Sequence, residues 1–269
     1  MIRWFVRGVT KRRLTTKYPR HPEHAPPAFR GRAVLAAEAA SSHAQADCMQ
    51  ACLPNALSRG PRGGLRLDAT RCIACGLCVE ACNDGSVVID SSYELAARSR
   101  ARLISGDQAP EADVFAERLG GAFRRSLHIR HVDTGSDGAI EQEITALLNP
   151  YYDMQRLGLF FTASPRHADV LLVTGPVTAP MEQPLRRTYE AMPEPRVVVA
   201  AGTDACSGSI WNEPEVRGGV DRVLAVDVYI PGDPPSPIAL LHGLLLAAGR
   251  VQEVAPPSAP ATQVSETAR

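Results

Sequence analysis

Two patterns of apolar and polar positions divide the chain. From about residue 126 onward, short apolar runs alternate with stretches of helical spacing. Residues 127–132, 158–162, 169–174, 196–201 and 224–230 are expected strands, and 139–148, 181–192 and 238–249 expected helices. Leu171-Leu172-Val173 and Val197-Val198-Val199 are apolar at consecutive positions, as strands covered on both faces are. Strands alternating with helices predict a parallel α/β sheet. Ahead of residue 126 the pattern thins. Leu65-Arg66-Leu67 and Val87-Val88-Ile89 read as short strands in two hairpin-like repeats, and residues 33–47 are Ala-rich with little amphipathic character. Residues 18–32 carry four prolines and cannot form a regular element; they read as an extended strap that needs another surface to lie on. Residues 1–14 mix Ile2, Trp4, Phe5, Val6 and Val9 with five cations. That mixture suits a short helix on a membrane surface or against a membrane subunit, and equally a solvated, frayed terminus. Residues 92–122 read as a linker with a helix over 111–119, and 251–269 are Pro/Ala/Ser/Thr-rich and expected to be disordered.

Composition narrows the class. At 269 residues, 45% apolar and 22% charged, the chain can build one or two ordinary cores. A net charge of zero argues against a nucleic-acid partner. The zero hides an asymmetry: residues 1–37 hold nine cations against Glu23, so they carry +8 and the remainder −8. No stretch approaches the 18 or so apolar residues of a membrane span, and the amino terminus lacks the apolar core and cleavage site of a secretory signal.

Cysteine spacing carries the chemistry. Cys72, Cys75, Cys78 and Cys82 read C-x2-C-x2-C-x3-C, the bacterial ferredoxin spacing for a [4Fe–4S] cluster. Zinc sites pair two C-x2-C knuckles over a longer gap, and four cysteines this dense would strain as disulfides. Cys48 and Cys52 resemble the end of a first such motif whose other two positions are Ser42 and Gln45. In two-cluster ferredoxins the fourth cysteine of each motif crosses to the other cluster. Cys52, Cys72, Cys75 and Cys78 are therefore expected to hold one [4Fe–4S] cluster, leaving Cys48 and Cys82 as an orphan pair, near neighbours with no cluster and buried as small apolar side chains.

Several carboxyl-terminal motifs stand together: His131-Val132-Asp133-Thr134-Gly135-Ser136, Pro150-Tyr151-Tyr152-Asp153-Met154-Gln155-Arg156-Leu157-Gly158, the run from Ser164-Pro165-Arg166 through Thr174-Gly175-Pro176-Val177-Thr178, Tyr189-Glu190-Ala191-Met192-Pro193 and Val226-Asp227-Val228-Tyr229-Ile230-Pro231-Gly232. Over residues 126–249 the chain resembles the twenty-kilodalton subunit family of NADH:quinone oxidoreductase and the small subunit of membrane-bound group 4 [NiFe]-hydrogenases such as formate hydrogenlyase. The ferredoxin half, with Tyr18-Pro19 and Phe29-Arg30-Gly31, is similar to the twenty-three-kilodalton ferredoxin-type subunit of the same complexes. The resemblance implies a fusion of two electron-transfer subunits, a bacterial ferredoxin-like α+β domain followed by a flavodoxin-like α/β domain. The expected divisions are 1–35 as a basic, Pro-rich docking arm, 36–92 as the ferredoxin-like domain, 93–124 as linker, 125–250 as the twenty-kilodalton-like domain and 251–269 as tail.

In that family the second domain binds one [4Fe–4S] cluster, and the resemblance places its ligands at Asp137, Ile140, Asp204 and Asp233, none of them cysteine. Cys206 lies two residues past the family position. The expectation is a folded domain without that cluster. Three carboxylates at strand ends suit a hard divalent cation such as Mg2+ or Ca2+; the other expectation is hydrogen bonding to loop N–H groups or pairing with Arg156 and Arg166. Serine-hydrolase, Walker and dinucleotide fingerprints do not occur. The expected function is an iron–sulfur electron-transfer and assembly subunit of a complex I-like or group 4 hydrogenase-like complex. Its expected partners are a large subunit, of the forty-nine-kilodalton or hydrogenase large-subunit type, and membrane subunits, at the cytoplasmic face of the inner membrane. The alternative is a structural, redox-inactive docking subunit of a related ion-translocating assembly.

Overall fold

The computed structural model describes residues 2–253 except 12–13, 27, 37–41, 62, 83–84, 106–122, 124, 209 and 211–212. The helix expected over 111–119 and nearly all of the expected tail lie outside the described residues. In the carboxyl-terminal half, β6 (Leu127–Asp133), β7 (Leu159–Phe161), β8 (Val170–Thr174), β9 (Val197–Ala201) and β10 (Val228–Ile230) form one parallel sheet in the order β10-β9-β8-β6-β7. The first strand of this set lies between the second and the third, the doubly wound order of flavodoxin-like folds. Every residue of β8 and β9 is buried, which explains their unbroken apolar runs. One face packs with α4 (Ala139–Ala146) and α7 (Pro237–Ala247) around Ile129, Leu172, Val199 and Ile230. The other packs with α5 (Ala179–Glu190) and α6 (Thr203–Ser207) around Leu171, Val173 and Val198. The last strand is shorter than its apolar run suggests, because a turn over Val220–Arg222 takes up the chain ahead of it.

Helix α7 is apolar apart from His242 and buried from Ile238 through Ala247. Its start is set by Pro237 and by Ser236, whose hydroxyl accepts from the Ala239 N–H. At Gly243 it meets β10 so closely that an added Cβ would clash with Ile230 Cδ1. A helix with no polar face needs cover on its outer side as well. Ala96, which lies close to Gly243, belongs with Tyr18 and Tyr93 to the same core, and all three lie ahead of the sheet in the chain.

The strap is held by this chain at Thr16, Tyr18 and Glu23. Tyr18 is 2% exposed and its hydroxyl donates to Glu94 at 2.9 Å. The Thr16 N–H donates to the Tyr151 carbonyl at 2.8 Å, and Arg156 donates to the carbonyls of Thr16 and Tyr18. Tyr93 accepts from the Glu23 N–H at 2.7 Å. Proline content marked the segment as irregular and could not mark what it lies against.

The ferredoxin-like half holds α2 (Ser42–Gln50), α3 (Leu77–Ala81) and two small sheets. β1 (Arg32–Leu35) pairs antiparallel with β4 (Val87–Asp90), and β2 (Leu57–Arg59) pairs with β3 (Leu65–Asp68), which β5 (Ile104–Ser105) extends. The strand at Val87 therefore closes against residues read as patternless, not within a local hairpin repeat. β1 sits in the stretch expected as a docking arm, and β5 in the stretch expected as linker. Among the contacts that join the two halves are three close to the cysteine loop or the second sheet. Ala97 and Tyr229 exchange backbone hydrogen bonds. Arg100 bridges Asp68 at 3.1 Å and Asp221 at 3.2 Å. Thr203 donates its hydroxyl to the Cys72 carbonyl at 3.2 Å.

Candidate metal centre

Cys52 follows α2, Cys72 follows β3, Cys75 lies in the next loop and Cys78 in α3. The loop reverses tightly through Ala74 (φ 52°) and Gly76 (φ 84°), and Arg30 pins it by donating to the Cys75 carbonyl at 2.6 Å. The four cysteines line one pocket with about 330 Å³ of space, part of it open to solvent, walled otherwise by Ala33, Pro54, Leu57, Leu67 and Ile89. Cys75 is exposed, Cys52 and Cys72 half-buried and Cys78 buried. Backbone N–H groups of Ala56 and Ala74 donate to the sulfurs of Cys52 and Cys72 at 3.2 and 3.4 Å. Burial, and then the neighbouring thiols, push Cys78 up to about 11, and burial raises Cys72. Bare thiolates are thus disfavoured together here, and a cationic metal core reverses that balance.

Among the described residues, no three His, Cys, Asp or Glu side chains converge as a site for a single metal ion. Four soft sulfur donors around one apolar-walled pocket suit an iron–sulfur cluster. Cys48 and Cys82, expected as an unlinked orphan pair, are joined as a disulfide with Cα atoms 5.2 Å apart, both buried. It ties α2 to α3 in the core of this half. The density of cysteines argued against disulfides only between motif neighbours; these two come from different motifs.

The three aspartates lie where strand ends were expected to place them. Asp137 follows β6, Asp204 is in α6 just after β9, and Asp233 follows β10. Burial, then the charges of Asp233 and Asp137, pushes Asp204 up to about 6. Asp233 is raised by burial and by Asp137. Ile140, the fourth position, is buried and fills the space beneath: an added Cβ on Gly202, whose φ is 94°, would clash with Ile140 Cδ1. Asp204 and Asp233 feel the neighbouring carboxylates, and Asp137 accepts from the Ala139 N–H at 2.9 Å. Arg156 and Arg166 are not their counter-charges. Both precede strands, β7 and β8, and so lie at the opposite end of a parallel sheet, with Arg156 spent on the strap.

Sequence reasoning missed two features. Thr203, which joins the acidic loop to the Cys72 loop, carries no motif. His131, Thr174, Glu141 and Ser136 form a polar chain at the ends of β6 and β8, where the strand order reverses. His131 Nε2 lies 2.9 Å from the Thr174 hydroxyl, which donates to Glu141 at 2.5 Å, and Ser136 donates to Glu141 at 2.7 Å. Burial lowers the His131 pKa. The Asp-Thr-Gly-Ser motif was the available signal. Cys206 is fully buried with its sulfur 3.4 Å from the Ala200 carbonyl, a packed small side chain.

Residues 138–247 match the NADH ubiquinone oxidoreductase 20 kDa subunit family, and residues 65–82 match the 4Fe-4S binding domain. An uncharacterized protein of Methanocaldococcus jannaschii is 46% identical over 125 residues, 46% of this chain and 84% of that protein. A probable membrane-bound hydrogenase subunit of Pyrococcus furiosus is 45% identical over 46% of this chain and 74% of its own length. Formate hydrogenlyase subunit 7 of Escherichia coli is 41% identical over 49% of this chain and 52% of its own. A chain from the structure of the membrane-bound sulfane sulfur reductase, an archaeal respiratory membrane complex, aligns at 32% identity with TM-score 0.43, over 49% of this chain and 75% of that one. Among the described residues no helix is long and apolar enough to cross a membrane. With two relatives covered over most of their length at well above 30% identity, the chain belongs to the NADH ubiquinone oxidoreductase 20 kDa subunit family and carries a 4Fe-4S binding motif ahead of that domain.

Proposed function

We propose that this chain is an iron–sulfur electron-transfer and assembly subunit of a complex I-like or group 4 hydrogenase-like membrane complex. It holds one [4Fe–4S] cluster on Cys52, Cys72, Cys75 and Cys78 and none at the acidic loops around Asp137, Asp204 and Asp233. The observation that carries the reading is the meeting of four cysteines from two motifs around one apolar pocket, with backbone N–H groups aimed at two of the sulfurs. When bound, the cluster supplies one-electron transfer. The apolar walls limit water at the sulfurs, and the Thr203 hydroxyl fixes the Cys72 loop against the second domain. We read the chain as a fusion of a ferredoxin-type subunit with a twenty-kilodalton-type subunit whose terminal-cluster cysteines have been replaced. Its partners are then a large subunit and membrane subunits, and its place is peripheral, on the cytoplasmic side of the inner membrane.

Anaerobic purification should give about four iron and four sulfide per chain. Cys75→Ser and Cys78→Ser should each lower the iron content and the visible absorption. A value near eight iron would place a second cluster on non-cysteine ligands and overturn the assignment. A second reading, a redox-inactive docking subunit, is favoured by the acidic loops at the terminal position. Stopped-flow mixing of the reduced protein with its purified partner subunits separates the two: reoxidation supports electron transfer, and a cluster that stays reduced supports the docking role.

A further inference from the structure

Helix α1 (Ile2–Lys11) stands at the head of the strap and is the most segregated of the described helices. At 3.6 residues per turn, positions 2, 5, 6 and 9 share one stripe, occupied by Ile2, Phe5, Val6 and Val9. Positions 3, 7 and 11 share the opposite side and are Arg3, Arg7 and Lys11. Val6 is 50% and Val9 60% exposed, so the chain's own domains leave this stripe uncovered at both. Further apolar side chains are exposed on the body. Leu14 is 66% exposed, and the next residues run beside the loop after α4: Thr15 donates to the Pro150 carbonyl and Thr16 to that of Tyr151. Leu148 and Tyr151 on that loop are 50% and 44% exposed.

Charge identifies the occupant. Residues 1–22 contain seven Lys or Arg and no acid, while the rest of the chain is net acidic. Apolar side chains interleaved with a run of cations match the boundary of an anionic bilayer, where acyl chains take the stripe and headgroups the cations. A protein groove would need acids of its own to match seven cations; the headgroups of an anionic bilayer supply them over the whole surface. We propose that α1, together with Leu14, Leu148 and Tyr151, seats this chain directly on an anionic lipid surface, in addition to any hold through membrane subunits. The strap fixes where the body then sits: Arg156 and Tyr151 clamp residues 16–18, so the edge of the sheet at the start of β7 faces the lipid.

The test is flotation of the full-length, cluster-loaded protein with vesicles of phosphatidylcholine alone or with about one-quarter phosphatidylglycerol. The expected result is binding to the anionic vesicles at least about tenfold tighter than to neutral ones, weakened by about 0.5 M salt. Val6→Ser with Val9→Ser, or removal of residues 2–13, should abolish binding while leaving the visible spectrum unchanged, which separates this inference from the cluster assignment. Equal binding by these variants, equal binding to both vesicles, or self-association of the wild type without vesicle binding would each overturn it.

Discussion

Asp204 shows what a single side chain carries at this site. Its pKa is raised to about 6 by burial and by the two neighbouring aspartates. The folded chain therefore keeps its proton to higher pH than the unfolded chain, whose carboxyl titrates near 4. The sign follows: Asp204 supports the fold below about pH 4 and loses that support as pH rises through about 6. At neutral pH its charge works against folding. Asp204→Asn should stabilise the protein by roughly 1–2 kcal/mol at pH 7.5, after discounting for partial exposure, and by little at pH 4.5. Urea unfolding at the two pH values checks this, and a destabilised variant at pH 7.5 would mean an unseen cation or base is bound there. Much of this was legible beforehand, because an acid placed after an apolar run must lie at a strand's carboxyl end. What it faces was not. The position of Arg166 relative to β8 settles which end of the sheet it occupies, and only the parallel order shows that this end is the far one.

Between elements, the decisive contact is Arg100, in a short turn between the two halves. Its guanidinium holds Asp68 of β3 and Asp221 of the second domain, and Asp68 is only 9% exposed. Removing it leaves a buried carboxylate unpaired. Arg100→Ala should cost roughly 2–3 kcal/mol, and Arg100→Lys should recover part of it, since an ammonium cannot span both carboxylates with the same fork. Thermal or denaturant unfolding of both variants checks the order; equal loss in the two would assign the effect to the guanidinium fork alone, since lysine keeps the charge and most of the stem. The strands of the parallel sheet were readable because both of their faces are covered and their runs are unbroken. β1 escaped notice because four residues with two buried in the middle show neither alternation nor a run. α6 escaped because five residues are less than two turns.

For the whole molecule, the question is where the fold begins. Residues 15–23 look dispensable by composition, yet Tyr18 belongs to the main core with α7. Removing residues 2–13 should leave the melting temperature nearly unchanged. Removing 2–23 should lower it by several degrees, because it strips a buried aromatic from the main core, a loss of roughly 3–5 kcal/mol in comparable cores. Differential scanning calorimetry of the two truncations decides whether the segment is an arm or part of the body.

That same segment sets an order of events during synthesis. The strap closes on Tyr151 and Arg156, so it has no seat until they have left the ribosome. Cys82 emerges well before either of them. At the usual speed of translation, about 5–20 residues per second, the stretch from Cys82 to Tyr151 takes roughly 3–14 s. Through that interval the cysteine pocket is complete in sequence, while the domain that covers Cys72 through Thr203 does not yet exist. The nascent chain thus presents its four cysteines before the second domain can pack against their loop.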